Sequence, residues 1–169
     1  MSLTLDDVGG RIASGLHEVR NDTGRVAFCG PFVLSAITGY PISAVEERIN
    51  TYRWGSPEKG DGRRVVGTYT EEVAAALAHF GYRMDLKQSF MDRPRKERPS
   101  LWSWMHLPRS VWAHYILAIH KGKEGHWILI KGVKLCDTFT EGRWQFVCDG
   151  PHKGCKIMEI FEVRKDLGV

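Results

Sequence analysis

After Cys29 the apolar residues Phe32, Val33, Ala36 and Ile37 fall on the i+3, i+4, i+7, i+8 stripe of a helix with one buried face. Pro31 suits the first turn of that helix and Gly39 its exit. Upstream, Leu5, Val8, Ile12 and Leu16 recur at spacings near four, which predicts an amphipathic helix over 3–18, weakened by Gly9-Gly10. Ser43 followed by Glu46 reads as a capping box opening a short helix over 44–52. Residues 53–67 are rich in Gly and Arg and contain Pro57, the pattern of a surface loop. Thr70 is a good N-cap for a helix over 71–80, with acidic residues in its first turn and Gly81 beyond it.

The period then changes from near four to two. A first strand is predicted over 82–86, followed by a polar, proline-bearing connection over 87–99 and one short turn capped by Ser100. Segments 111–119, 126–130, 133–136, 143–147 and 156–163 are rich in β-branched and aromatic residues and read as strands. The expected fold is therefore α+β in a single domain over 1–169, with N-terminal helices packed on a C-terminal antiparallel sheet.

Composition changes this picture little. The 169 residues are 43% hydrophobic and 26% charged, an ordinary globular mixture that needs no metal or disulfide to build a core. No apolar run approaches the roughly 20 residues that span a bilayer, so no membrane contact is expected. The first seven residues have neither the basic start nor the apolar stretch of a secretory signal, which points to a cytoplasmic protein with reduced cysteines. The net charge is +4, and the one basic cluster is Arg93, Arg95, Lys96 and Arg98 between two prolines. It lacks the interleaved aromatics of a single-strand binder, so nucleic acid is not the expected partner.

Chemistry concentrates at Cys29. A helix start offers unpaired N–H groups and the positive end of the macrodipole, which favour a thiolate nucleophile, and Gly30 leaves room beside the sulfur. Such a nucleophile needs a base and a group that orients the base. Of the seven histidines, His126 begins a strong strand just after Gly125, whereas His114 and His120 fall within the preceding strand pattern. With Lys131-Gly132 as a two-residue turn, Ile130 faces Val133, Ile128 faces Leu135 and His126 faces Asp137. Asp149, before Gly150-Pro151, is the alternative orienting acid. Cys136, Cys148, Cys155 and His152 lack the short paired spacing of a zinc site, so neither metal nor cofactor is expected.

The segment Cys29-Gly30-Pro31-Phe32-Val33-Leu34-Ser35-Ala36 resembles the nucleophile helix of papain-like cysteine peptidases, in particular the branch of bacteriocin-leader-processing peptidases. Gly125-His126-Trp127-Ile128-Leu129-Ile130, running on to Asp137, is similar to the His-bearing strand and following Asp of that branch. The segment from Gly67 to Tyr82 resembles its second helix, so the likeness spans roughly residues 20 to 150. The resemblance implies a papain-like fold and a Cys-His-Asp hydrolase acting on a peptide or protein substrate through a covalent acyl-enzyme. It also implies a side-chain amide, usually Gln, several residues before the cysteine to help hold the oxyanion. This chain departs there: both glutamines, Gln88 and Gln145, follow Cys29. Asn21 and Thr23 are the candidate substitutes. The departure keeps a second expectation open, that of a catalytically weak or inactive module acting in binding or assembly.

Overall fold

The computed structural model describes residues 17–60 and 62–166. The expected N-terminal helix over 3–18 lies almost wholly outside the described residues. Helix α1 (Cys29–Thr38) forms where the stripe predicts it but is buried all round, every residue from Gly30 to Ile37, rather than on one face, and Gly39 closes it at φ 77°, a left-handed conformation that an L side chain rarely adopts. Helix α2 (Ile42–Trp54) starts earlier than the capping-box reading expects. Ser43 does not cap it; its hydroxyl donates to Asp22 at 2.5 Å and its N–H to the same carboxylate at 3.0 Å. Glu46 instead turns inward, where it accepts from the Val65 N–H and pairs with Arg25 at 3.1 Å.

A short helix α3 (Pro57–Gly60) occupies the segment expected to be loop. Helix α4 (Thr70–His79) takes Tyr69 rather than Thr70 as its N-cap, and the Glu72 carboxylate accepts the Tyr69 N–H at 2.8 Å. After it come β1 (Tyr82–Ser89), the short helix α5 (Leu101–Met105), β2 (His114–Lys121), β3 (Glu124–Lys131), β4 (Lys134–Cys136), β5 (Gln145–Phe146) and β6 (Ile157–Lys165). Ser100 caps α5 as expected, accepting from the Ser103 N–H at 3.1 Å.

The strands form one antiparallel sheet in the order β1-β6-β2-β3-β4-β5. The molecule is thus a helical layer against a six-stranded antiparallel sheet, an α+β arrangement. Side chains alternate along β2 and β3 with the period of two that a sheet imposes. Ile116, Ala118, Trp127 and Leu129 pack with Val33, Leu34 and Ile37 of α1 and Val73 and Leu77 of α4. Tyr115, Leu117, Ile128 and Ile130 face the other way, onto Phe90, Leu101 and Trp104. Burying both faces explains why these strands are near-continuous apolar runs. No helix among the described residues is long and apolar enough to cross a membrane.

The β3–β4 turn differs from the expected one. Lys131 pairs with Lys134, Ile130 with Leu135 and Leu129 with Cys136, so the loop is Gly132-Val133. Gly132 sits at φ 57°, which places the glycine first in a tight turn where Lys131 would be strained. The pairing is displaced by two residues from the expected register. A slip of two preserves the alternation, so Asp137 still emerges on the side of the sheet that the expected pairing required.

Candidate active site

Cys29 is the first residue of α1, and the first helical hydrogen bond runs from the Phe32 N–H to the Phe28 carbonyl at 3.1 Å. The amides of Cys29 and Gly30 precede that bond, and Pro31 has none, so two donors lie at the helix tip beside the sulfur. Gly30 is required by close packing. A Cβ there would come within 2.1 Å of Thr68 Oγ1, and Thr68 is held in turn by the Trp127 indole N–H donating to its carbonyl at 3.3 Å.

His126 stands near the start of β3 and is buried, as is Asp137. The strand β4 ends at Cys136, and Asp137 becomes the cap of a single 3-10 turn over Thr138–Thr140. One carboxylate oxygen accepts the N–H groups of Phe139 and Thr140, both at 3.0 Å. The other is 2.7 Å from His126 Nε2 and 2.6 Å from His152 Nε2. A carboxylate only accepts, so both imidazoles carry their proton on Nε2. This leaves Nδ1 as the His126 nitrogen not engaged by Asp137, and Cys29 and His126 line the same cleft.

Electrostatics follow from these contacts. Burial disfavours charge on the His126 ring, but hydrogen bonds to Asp137 and Cys29, with the charge of each, outweigh it and raise the ring to about 9. Burial likewise pushes Asp137 up, and the hydrogen bonds from His126 and His152 overcome it and bring the carboxyl down to about 2. Phe139 lies edge-on to both imidazoles, 5.2 Å from His126 and 5.1 Å from His152 between ring centres, and covers the pair.

The structure brings Cys29, His126 and Asp137 together and leaves the other candidates elsewhere. Asp149 is exposed on the turn Val147–Asp149, and its Gly-Pro successor acts as an ordinary turn. Asn21 is exposed and Thr23 half-buried, and neither lines the cleft that holds Cys29. The Asn21 amide is spent on the Arg25 carbonyl at 2.7 Å, and its oxygen accepts from Thr23, so the two residues satisfy each other in a local turn. Neither of the two expected amide or hydroxyl donors therefore faces Cys29, and the Cys29 and Gly30 amides lie at the helix tip.

His152 is the residue that sequence reasoning missed, having entered only with Cys136, Cys148 and Cys155. Those four do not converge: Cys136 is buried in the helix-side core with its thiol pushed up to about 12 by burial, Cys148 is exposed, and only Cys155 lies near His152, at 3.9 Å. His126, Asp137 and His152 place their ligand atoms within 4.8 Å of one another. Ligands around a zinc ion at 2.0–2.1 Å would stand about 3.3 Å apart, so contacts of 2.6 and 2.7 Å are those of hydrogen bonds.

Cys29 and His126 open onto a cleft of about 580 Å³, walled by Trp127, Met91, Met158 and the Gly67–Thr68 turn. Met158 is the extra residue of a bulge between β2 and β6, where Ala118 pairs with Glu159 but Ile119 pairs with Ile157. The Arg53–Glu72 pair lies at the cleft wall, closed at 2.5 and 2.7 Å, with Arg53 also donating to the Gly67 carbonyl. The basic cluster at 93–98 is largely occupied internally. Arg98 donates to the Arg93 and Met91 carbonyls and contacts His120 at 2.7 Å, while Arg95 donates to the Gly122 carbonyl. Searches against family models, curated proteins and solved structures give no match to this chain.

Proposed function

We propose that this protein is a papain-like thiol hydrolase that cleaves an amide or related acyl bond in a peptide or protein through a Cys29 acyl-enzyme. The observation that carries the reading is the direction of the hydrogen bonds. Asp137 accepts from His126 Nε2, which leaves Nδ1 for the Cys29 thiol where the two residues line one open cleft. That is the arrangement a nucleophile, base and orienting group require.

In the reaction the sulfur, its proton held on His126 Nδ1, attacks the carbonyl carbon. The carbonyl electrons move to oxygen, where the Cys29 and Gly30 amides stabilise the negative charge. The C–N bond then breaks, and His126 returns its proton to the departing amine, leaving a thioester. Water attacks the thioester with His126 again taking a proton, and the acid and free thiol are released. Asp137 keeps its charge throughout and holds the ring in the required tautomer, and His152 holds Asp137.

Iodoacetamide labelling of the folded protein, read by peptide mapping, tests this. Cys29 should react faster than exposed Cys148 near neutral pH, and His126→Ala should remove that lead. Equal rates at the two sulfurs in the wild type would refute the reading. The alternative of a binding or assembly module is not favoured by the basic cluster, whose arginines are engaged within the chain.

A further inference from the structure

Resting on the hydrolase reading, we infer that the substrate is a peptide bearing a lysine or arginine side chain next to the bond attacked, and that Glu159 selects it. The cleft's charges cancel except at this residue. Arg53 and Glu72 neutralise each other, and His126 is paired with Asp137. Glu159 lines the same cleft, half-buried, and its one hydrogen bond among the described residues comes from Ser89 Oγ at 3.5 Å. Lys87, on the neighbouring strand, is committed to Glu162 at 3.1 Å.

The position of Glu159 in the sheet gives the distance. Ser89 pairs with Glu159, Glu159 with Ala118 and Ala118 with Trp127, a row across four strands that ends beside His126. The Glu159 and Trp127 backbones are two inter-strand spacings apart, about 10 Å. Ala118, the residue between them, is small and leaves the floor open. A substrate backbone lying over β3 would send a side chain across Ala118, with its aliphatic stem against Met91, Met158 and Trp127 and its charged end at the carboxylate. Apolar walls with one charge at the far end suit the long stem and cationic head of lysine or arginine. The two methionines adapt to either.

The test uses a matched pair of peptidyl chloromethyl ketones carrying lysine or norleucine, which share a stem and differ in charge, at each of the two positions preceding the reactive carbonyl. Rates of Cys29 modification are followed by mass spectrometry. At one of the positions the lysine probe should react about tenfold faster or more, as expected for a hydrogen bond to a charged group. Glu159→Gln should bring the ratio near one, and Glu159→Lys should invert it, with circular dichroism confirming that both variants are folded. Cys29 modified at equal rates by both probes at both positions overturns the assignment of Glu159 and leaves the hydrolase reading standing. A Cys29 that none of the probes modifies overturns both.

Discussion

Asp137→Asn alters one oxygen in the site and separates geometry from charge. The Asn oxygen still accepts the Phe139 and Thr140 N–H groups, so the 3-10 turn keeps its cap. The new NH₂ then faces His126 and His152, and each ring satisfies it only by moving its own proton from Nε2 to Nδ1. For His126 that places a hydrogen between the ring and Cys29, and a neutral ring protonated on Nδ1 cannot receive the thiol proton. The equivalent carboxylate-to-amide change in a serine triad costs on the order of 10⁴ in turnover through the same tautomer error, and a loss of that order is expected in Cys29 acylation.

Stability should change with a defined pH signature. The native Asp137 pKa of about 2 lies below the ordinary 3.8, so its contribution is fully present above 3.8 and is lost as pH falls through about 2. The shift corresponds to about 2 kcal/mol. Urea unfolding of wild type and Asp137→Asn across that range should show the gap between them closing by about this amount as the solution is acidified. A gap independent of pH, together with undiminished Cys29 reactivity in the variant, would refute the reasoning.

Other perturbations reach the same network from different sides. His152→Ala should cost about 1–3 kcal/mol in chemical denaturation by leaving the buried Asp137 oxygen short of a donor, and should slow Cys29 alkylation less than His126→Ala does. Because the native His126 pKa is raised to about 9 from 6.5, its stabilisation is complete below 6.5 and lost as pH rises through about 9; His126→Gln should abolish that part of the wild-type alkaline decline, about 3 kcal/mol. Gly30→Ala should lower the melting temperature through its clash with Thr68, at a cost of about 1–3 kcal/mol, and adding Thr68→Ala should recover part of the loss because it removes the atoms at 2.1 and 2.7 Å.

Much of this organisation was legible in the sequence because it is periodic. The stripe after Cys29 and the β-branched runs that follow mark where the helix and the strands lie, while the burial of α1 on every side comes from its neighbours. Cys29 and His126 were readable for the same reason: each stands at or near the start of an element whose start is signalled, by Gly-Pro in one case and by Gly125 in the other. Asp137 was found through a register two residues out of place, and the partner survived because alternation repeats every second residue. His152 carried no local signal. It lies on an irregular turn, and it reaches Asp137 only because the chain folds back between β5 and β6. Asn21 and Thr23 have the chemistry of oxyanion donors but satisfy each other and the Arg25 carbonyl, a local competition that composition does not reveal.

The most direct measurement of the central claim is a burst experiment with p-nitrophenyl acetate, in which released nitrophenolate and the site of acetylation are followed together. A rapid phase close to one equivalent per chain is expected, with an acetyl thioester on Cys29 and loss of both in His126→Ala. Slow release without a burst, with acetyl groups scattered over Cys148 and surface lysines, would contradict it.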